Sequence, residues 1–478
     1  MTTRLTRSFL LCWTLSGAFA CGGSDEEQKV PGPGDSCLPA TSGEVCQTGL
    51  SCDPLADGSG NVCGAPLTLR GKVADAASGG AVGGARVIAL NAEGTPVGDV
   101  ALSDADGNYQ LSVPALRNPD GSISAQSSWK LVVAAQGYQI FPAGPRPAVP
   151  ISGQQASGEP AVIEAANTQV SLLSLPDAAA LDRQIHGTLA GPDAGGTLVV
   201  AEGGPVPAPY GIAARDGSFV LFNVPAGEFE IAAYRQGRQF QRTPANTRSG
   251  SASGLAVNGL EGELGPVSGS VSIVNAPGGS KTSVVLVPES VFDATLERGP
   301  VPLGLRAPKP PELPSISGAF TVEGVPQGKY VVLAAFENDQ LVRDPDASIS
   351  GTDLQHVDMA GSSVSMAQSF KITEQLAIIG PGAEQPEAVS GAPVFRWADD
   401  SSEDRYELEL YSALGDLVWS DRAIPGVSGS STVERTYDGP ALSPGMIYQF
   451  RVTSFRDKRG TPTAISRSED LRGVFSYE

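Results

Sequence analysis

Few side chains of this chain could do chemistry: six cysteines, two histidines and two groups of carboxylates among 478 residues. Cys37, Cys46, Cys52 and Cys63 follow the spacing C-x8-C-x5-C-x10-C. That spacing lacks the paired C-x2-C ligands of a structural zinc site and reads as two disulfides, with three connectivities open. His186 and His356 stand far apart, and no G-x-S-x-G, H-E-x-x-H, P-loop or G-x-G-x-x-G motif occurs. Acid–base, zinc and nucleotide chemistry have no constellation to act through, so the chain reads as a non-enzyme without cofactors. Asp104, Asp106 and Asn108 are the candidate metal ligands, in the pattern D-x-D-G-N. An EF-hand calcium loop needs glycine sixth and glutamate twelfth, whereas here glycine is fourth and Ala115 twelfth. The simpler reading is a turn in which an aspartate caps its own backbone, and no metal is expected. Asp399, Asp400, Glu403 and Asp404 suit a hard cation by type, yet four acids before a strand read more simply as a solvated loop.

Arg4 and Arg7, an apolar run from Phe9 to Ala20 and the small-residue site Ala18-Phe19-Ala20 read as an export signal over residues 1–20, too short to span a bilayer. Once that leader leaves, an unmodified Cys21 would be an orphan thiol in an oxidising compartment; acylated, it leaves four cysteines for two bridges. Cys21-Gly22-Gly23-Ser24 resembles the lipid-modified start of bacterial lipoproteins, although Ala18 stands where they usually carry leucine. The resemblance implies several acyl chains on Cys21, an exported chain anchored in the bacterial cell envelope, and the membrane as a partner through that lipid. Residues 21–36, polar and acidic with Gly and Pro, read as a flexible tether, and residues 37–64 as a knot that needs its staples. The formal charge of -20 would repel phosphate backbones, which excludes nucleic acid as a partner.

What positions these groups is a phrase written three times. Asp106-Gly107-Asn108-Tyr109-x-Leu111-x-Val113-Pro114 returns as Asp216-Gly217-Ser218-Phe219-x-Leu221-x-x-Val224-Pro225 and as Ser317-Gly318-Ala319-Phe320-x-Val322-x-x-Val325-Pro326. Apolar residues alternate as a half-buried strand requires, and a second alternating strand follows. Copies two and three carry one extra residue before Val-Pro, so the strand must bulge or end early to keep register. With 58 glycines, 38 prolines and 41% hydrophobic residues, turn-rich short-stranded domains fit better than disorder. Gly71-Lys72-Val73, Ala85-x-Val87-x-Ala89, Asp106 to Tyr109 and Val133 to Tyr138 closely resemble carboxypeptidase regulatory-like domains, which are transthyretin-like sandwiches. That resemblance implies a seven-stranded fold and no peptidase activity. Between Pro114 and Trp129-x-Leu131-x-Val133 lie 14 residues, more than a hairpin needs. The third copy carries a proline-dense insertion, Pro288 to Pro314, expected to be extended and exposed. Pro393-x-Phe395-x-Trp397, Tyr406-x-Leu408-x-Leu410 and Tyr448-x-Phe450-x-Val452 resemble a fibronectin type III domain.

The expected fold class is all-β: tandem Greek-key β-sandwiches, transthyretin-like (prealbumin-like) over residues 66–180, 181–265 and 266–371, then immunoglobulin/fibronectin III-like over 372–478, after a small disulfide-rich segment. The expected role is structural or interaction-based, an adhesion or presentation module with a protein or glycan partner left unknown. Two alternatives stand beside it: a carbohydrate-binding surface protein, and an accessory array for a separate secreted hydrolase. Sugar stacking would need exposed aromatics. Trp129, Trp397 and Trp419 fall in alternating strands, so Tyr138, Tyr210, Tyr234 and Phe240 are the candidates for ligand binding. Lys72 sits on the first strand of the first copy and Asn167 lies near its end, the residue types that an intramolecular isopeptide bond on the first and last strands would require.

Overall fold

The computed structural model describes residues 30–38, 46–142, 148–176, 178–192, 194–274, 282–294, 299–310, 312–335, 341–342, 354–366, 369–373, 376–400, 403–428, 431–458, 460–468 and 472–478. Cys21 and the leader lie outside them. Among the described residues there are strands, turns and a few single 3-10 turns, with no α-helix.

One sandwich is built three times from the same strand order. In the first, Leu67–Asp75 lies between Asn108–Val113 and Val170–Leu172, while Arg86–Leu90 lies between Pro96–Leu102 and Ser128–Ala134, which also pairs Ile151–Ser152. Numbered along the chain, the two sheets run 4-1-7 and 3-2-5-6, a Greek-key arrangement in which the last strand returns parallel to the first. The second copy places Arg183–Leu189 between Ser218–Val224 and Ala252–Val257, and Leu198–Glu202 between Tyr210–Ile212 and Glu228–Tyr234. In the third, Gly265–Val274 pairs with Ala319–Val325 and, parallel, with Val364–Ser365 and Phe370–Thr373. Its other sheet sets Ser283–Pro288 between Arg306–Ala307 and Gly328–Ala335.

The repeated phrase sits on the fourth strand each time. In the first copy its burial alternates without a break, with Tyr109, Leu111 and Val113 inside. In the other two the extra residue becomes a bulge. Ile185 faces Leu221 but Arg183 faces Val224, and Val267 faces Val322 but Gly265 faces Val325, so three steps on one strand match two on its neighbour. The residues absorbing the step are Asn223, at φ 59°, and Gly324, at φ 65°. Both stand in the left-handed region that asparagine and glycine tolerate best.

The fourth sandwich packs Ile378–Gly380, Val394–Ala398 and Thr432–Thr436 against a sheet that includes Arg405–Ser412, Leu417–Pro425, Ile447–Lys458 and Val474–Tyr477. Its core is aromatic: Phe395, Trp397, Tyr406, Phe450 and Phe475 are fully buried. Phe395 and Phe450 are 4.7 Å apart, and each such side chain contributes about 1.5–3 kcal/mol by leaving water. The Tyr448 hydroxyl accepts the Ser443 N–H at 2.8 Å, which pins the turn before its own strand.

Two expectations change at this level. The tether read over 21–36 ends before residue 36: the Gly34 N–H donates to the Cys63 carbonyl and the Cys63 N–H to the Asp35 carbonyl, both at 2.9 Å. Residues from about Pro31 are therefore part of the knot, because its short strands have open edges that the preceding chain can satisfy. The proline-dense insertion is not an exposed loop throughout. Gly299, Pro300, Pro302, Leu305 and Arg306 are buried, and Arg306–Ala307 supplies the third strand of its sandwich. Prolines bar a long ladder but leave the two-residue strand Arg306–Ala307, within the five residues between Pro302 and Pro308, free to pair. Leu313, further on, is exposed.

Candidate functional site: the joints between sandwiches

Several of the polar side chains that distant segments bring together lie at the boundaries between modules. The knot is closed by Cys37–Cys52 and Cys46–Cys63, which consume the thiols a metal would need. It docks on the long loop after Pro114. The Arg117 N–H donates to the Pro54 carbonyl at 2.9 Å, the Ala56 N–H donates to the Arg117 carbonyl at 2.7 Å, and Arg117 Nε reaches Asp53 Oδ2 at 2.8 Å. Asp53 is wholly buried, and burial pushes its carboxyl above the ordinary aspartate value even though Ser51 and Arg117 bond it. The guanidinium also donates to the Gly121 and Ala65 carbonyls, so the extra length of the loop has a use: it wraps one arginine around the knot.

Between the first and second sandwiches, the bulge residue Asn223 reaches the turn after strand five. Its Oδ1 accepts the Gly137 N–H at 2.6 Å and Gln136 Nε2 at 3.2 Å, while its Nδ2 donates to the Tyr138 carbonyl at 2.7 Å and the Ala135 carbonyl at 3.3 Å. All four positions of the amide are used. Beside it, buried Arg86 donates to the Ile212 carbonyl at 3.2 Å and the Ser218 carbonyl at 3.0 Å. Burial pushes the Arg86 pKa down, with Asp216 opposing. Ile88, Leu90 and Val132 on the outer face of the first sandwich meet Ile212 of the second.

The same joint recurs one repeat later. The Gly237 N–H donates to the carbonyl of the bulge residue Gly324 at 2.8 Å, and Gln236 Nε2 to the Glu323 carbonyl at 2.7 Å. Thus a Gln-Gly turn of one sandwich binds the bulge of the next, twice. The apolar contact is larger here. Along Leu198–Glu202, Val199 and Ala201 belong to the second sandwich's own core, while Leu198 and Val200 join a cluster with Val284, Leu286 and Tyr330 of the third. Tyr234 and Tyr330 meet edge to face at 5.9 Å. Glu202 accepts from the Tyr234 hydroxyl at 2.6 Å and from Ser290 Oγ at 2.8 Å, and pairs with Arg242. Burial alone would raise its pKa, but hydrogen bonds from Tyr234, Arg242 and Ser290 outweigh that and hold it below the ordinary glutamate value.

The residues singled out in the sequence are scattered over this frame. Tyr234 is 2% and Phe240 5% exposed, both in cluster interiors, and Tyr210 packs half-buried beside Tyr234. Tyr138 lies at the first joint, where its carbonyl meets Asn223. Asp104 Oδ1 accepts the Asp106 N–H at 3.0 Å and the Asn108 N–H at 2.8 Å, a self-capped turn. Asp399 and Asp400 are drawn to the Tyr406 hydroxyl and the latter also to Ser454, while Asp404 accepts the Asp457 N–H. His186 meets Gln184 and exposed His356 meets Glu289. The Asn167 amide bonds Pro150 and Gln155, and the Lys72 backbone bonds Gln169.

No protein-family model matches the chain, and neither does any curated protein. Some solved structures show distant likeness to parts of the chain. A DUF3823 family protein from Bacteroides ovatus is 10% identical over 44% of this chain and 98% of its own, with a TM-score of 0.21. Two B repeat units of the collagen-binding protein of Staphylococcus aureus are 12% identical over 86% of this chain and 98% of theirs, with a TM-score of 0.17. A minor pilin of Streptococcus agalactiae is 11% identical over 40% and 97%, also at 0.17. Likeness at that level assigns no function. Among the described residues no helix is long and apolar enough to cross a membrane.

Proposed function

We propose that this chain is a non-catalytic cell-envelope lipoprotein, acylated at Cys21, that acts as a structural spacer in which the first three sandwiches are jointed into one stack. The observation that carries the reading is the repeated joint: Gln136-Gly137 on Asn223, then Gln236-Gly237 on Gly324, backed by a core shared between the second and third sandwiches. Independent domains on flexible linkers need neither a bulge at the same strand position nor an apolar outer sheet face. A stack that transmits position needs a large apolar interface between its modules.

Two measurements test this. An alkyne fatty acid fed to the native host is expected to label the wild-type chain and not Cys21→Ser; an unlabelled wild type would remove the anchor. Turnover of a hydrolase substrate by the purified chain alone would overturn the non-catalytic reading.

A further inference from the structure

The three repeats converge on a cavity that the spacer role does not require. Its volume is about 260 Å3, and its wall takes residues from every repeat: the turn Asn91 to Thr95 and Lys130 from the first, Gly196, Ile212 and Arg235 from the second, and the stretch Val301 to Pro310 from the third. The convergence is close. A Cβ placed on Gly196, which stands at φ +83°, would come within 2.9 Å of both Leu303 of the third repeat and Pro96 of the first.

The charge lining this cavity runs against the overall balance of the chain. Carboxylates outnumber Lys and Arg by 52 to 32 in the chain. Among the described residues the cavity wall carries Lys130, Arg235, Arg306 and Lys309 and one acid, Glu93, and the Arg235 guanidinium also donates to the Gly195 carbonyl. Each repeat contributes at least one of the four cations, so the positive centre exists only when the three are assembled. Leu90, Ile212, Val301 and Leu303 give the wall apolar surface, which concentrates the field of those cations inward. Arg306 is only 6% exposed, whereas Lys309 sits at the rim in solvent. Guanidinium groups present planar forks that match a carboxylate or phosphate, and ammonium groups add point charge.

We infer that this junction is a binding site for a compact oxyanion, a carboxylate- or phosphate-bearing molecule no larger than a single acidic sugar. The volume falls just under the range of roughly 300–1,000 Å3 that holds drug-sized ligands, which sets the size limit. Because the ligand contacts all three repeats, it binds the assembled stack and stabilises it by mass action.

The test uses the full mature chain at low ionic strength, with inorganic phosphate, citrate and glucuronate as probes and glucose as the neutral control, read by calorimetry and thermal shift. At least one anion is expected to bind and to raise the melting temperature of the joined repeats, while glucose does neither. Phosphate alone active assigns the phosphate class; citrate or glucuronate active assigns the carboxylate class. Lys309→Gln, at an exposed position that burdens no core, is expected to weaken binding at least ~5-fold, and Glu93→Gln to strengthen it several-fold, as removal of an attractive and a repulsive charge near a partly desolvated ion requires. Silence of all three anions up to about 10 mM, an affinity weaker than about 3 kcal/mol of binding, would overturn the inference. So would binding that neither substitution alters.

Discussion

The joint at Asn223 can be dismantled in two separable steps. Asn223→Gly keeps the left-handed backbone relaxed and deletes only the amide, whose two shortest bonds run to the Gly137 N–H at 2.6 Å and the Tyr138 carbonyl at 2.7 Å. At about 0.5–1.5 kcal/mol net for each bond, the loss is roughly 1–3 kcal/mol of local stability. Asn223→Ala removes the same bonds and also forces a Cβ into φ 59° without the local hydrogen bonding that lets asparagine visit that region. That adds about 1–2 kcal/mol. Hydrogen exchange by mass spectrometry on the full chain reads the effect where it falls, in the peptide covering residues 134–142. The glycine variant is expected to exchange about 5- to 150-fold faster there than wild type, at ~1.4 kcal/mol per factor of ten, and the alanine variant faster again. Equal rates in the two variants would refute the backbone argument. Rates within twofold of wild type in both would refute the joint.

Other perturbations follow from the same frame. Arg117→Ala strands Asp53 in the interior without its cation, and a broken buried pair costs about 3–5 kcal/mol; residues 51–56 are expected to lose most of their exchange protection, and unchanged protection would count against the docked knot. Replacing Asp53 and Arg117 together by leucine and methionine is expected to restore much of that loss, since an apolar pair leaves no uncompensated charge. Glu202 has a folded pKa below its unfolded value of 4.5, so the stability it contributes is present above that value and fades as pH falls through the folded one. Acid titration of the second and third sandwiches should therefore show a loss below about pH 4.5 that Glu202→Gln flattens; identical acid profiles would sink the assignment. Gly196→Val puts a branched side chain at a positive φ against Leu303 and Pro96, and calorimetry is expected to show the joined repeats unfolding at lower temperature or separating into distinct transitions.

Much of the fold was legible because strand periodicity is a local property. The alternation of Tyr109, Leu111 and Val113, and of Phe395 and Trp397, marked core faces that are indeed buried. The extra residue before Val-Pro called for a bulge or an early strand end, and the register shifts at Arg183 and Gly265 show the bulge. What the bulge is for was not legible, since Asn223 and Gln136 are 87 positions apart and their pairing depends on how two whole sandwiches stack. A signal existed all the same. Gln-Gly recurs after strand five in copies one and two, and the unbroken apolar run Leu198-Val199-Val200-Ala201 marks a strand buried on both faces. The inward turn of the proline-dense segment was hidden for a similar reason: Leu305 and Arg306 find their partners on Ser283–Pro288, and composition reports only that the segment cannot make a long strand. Tyr234 and Phe240 lie near strand ends in sequence but under a neighbouring repeat or connection in space, which removes them from the surface that sugar stacking needs.

A jointed stack requires the first and third sandwiches to hold one fixed relation. Spin labels at the exposed positions Leu102 and Leu313, one on each, allow pulsed dipolar spectroscopy to read the separation in the full chain. A single narrow distance distribution, broadened when Asn223→Ala and Gly324→Val are introduced, is the predicted result. A broad distribution in the wild type, unaltered by those substitutions, would contradict it.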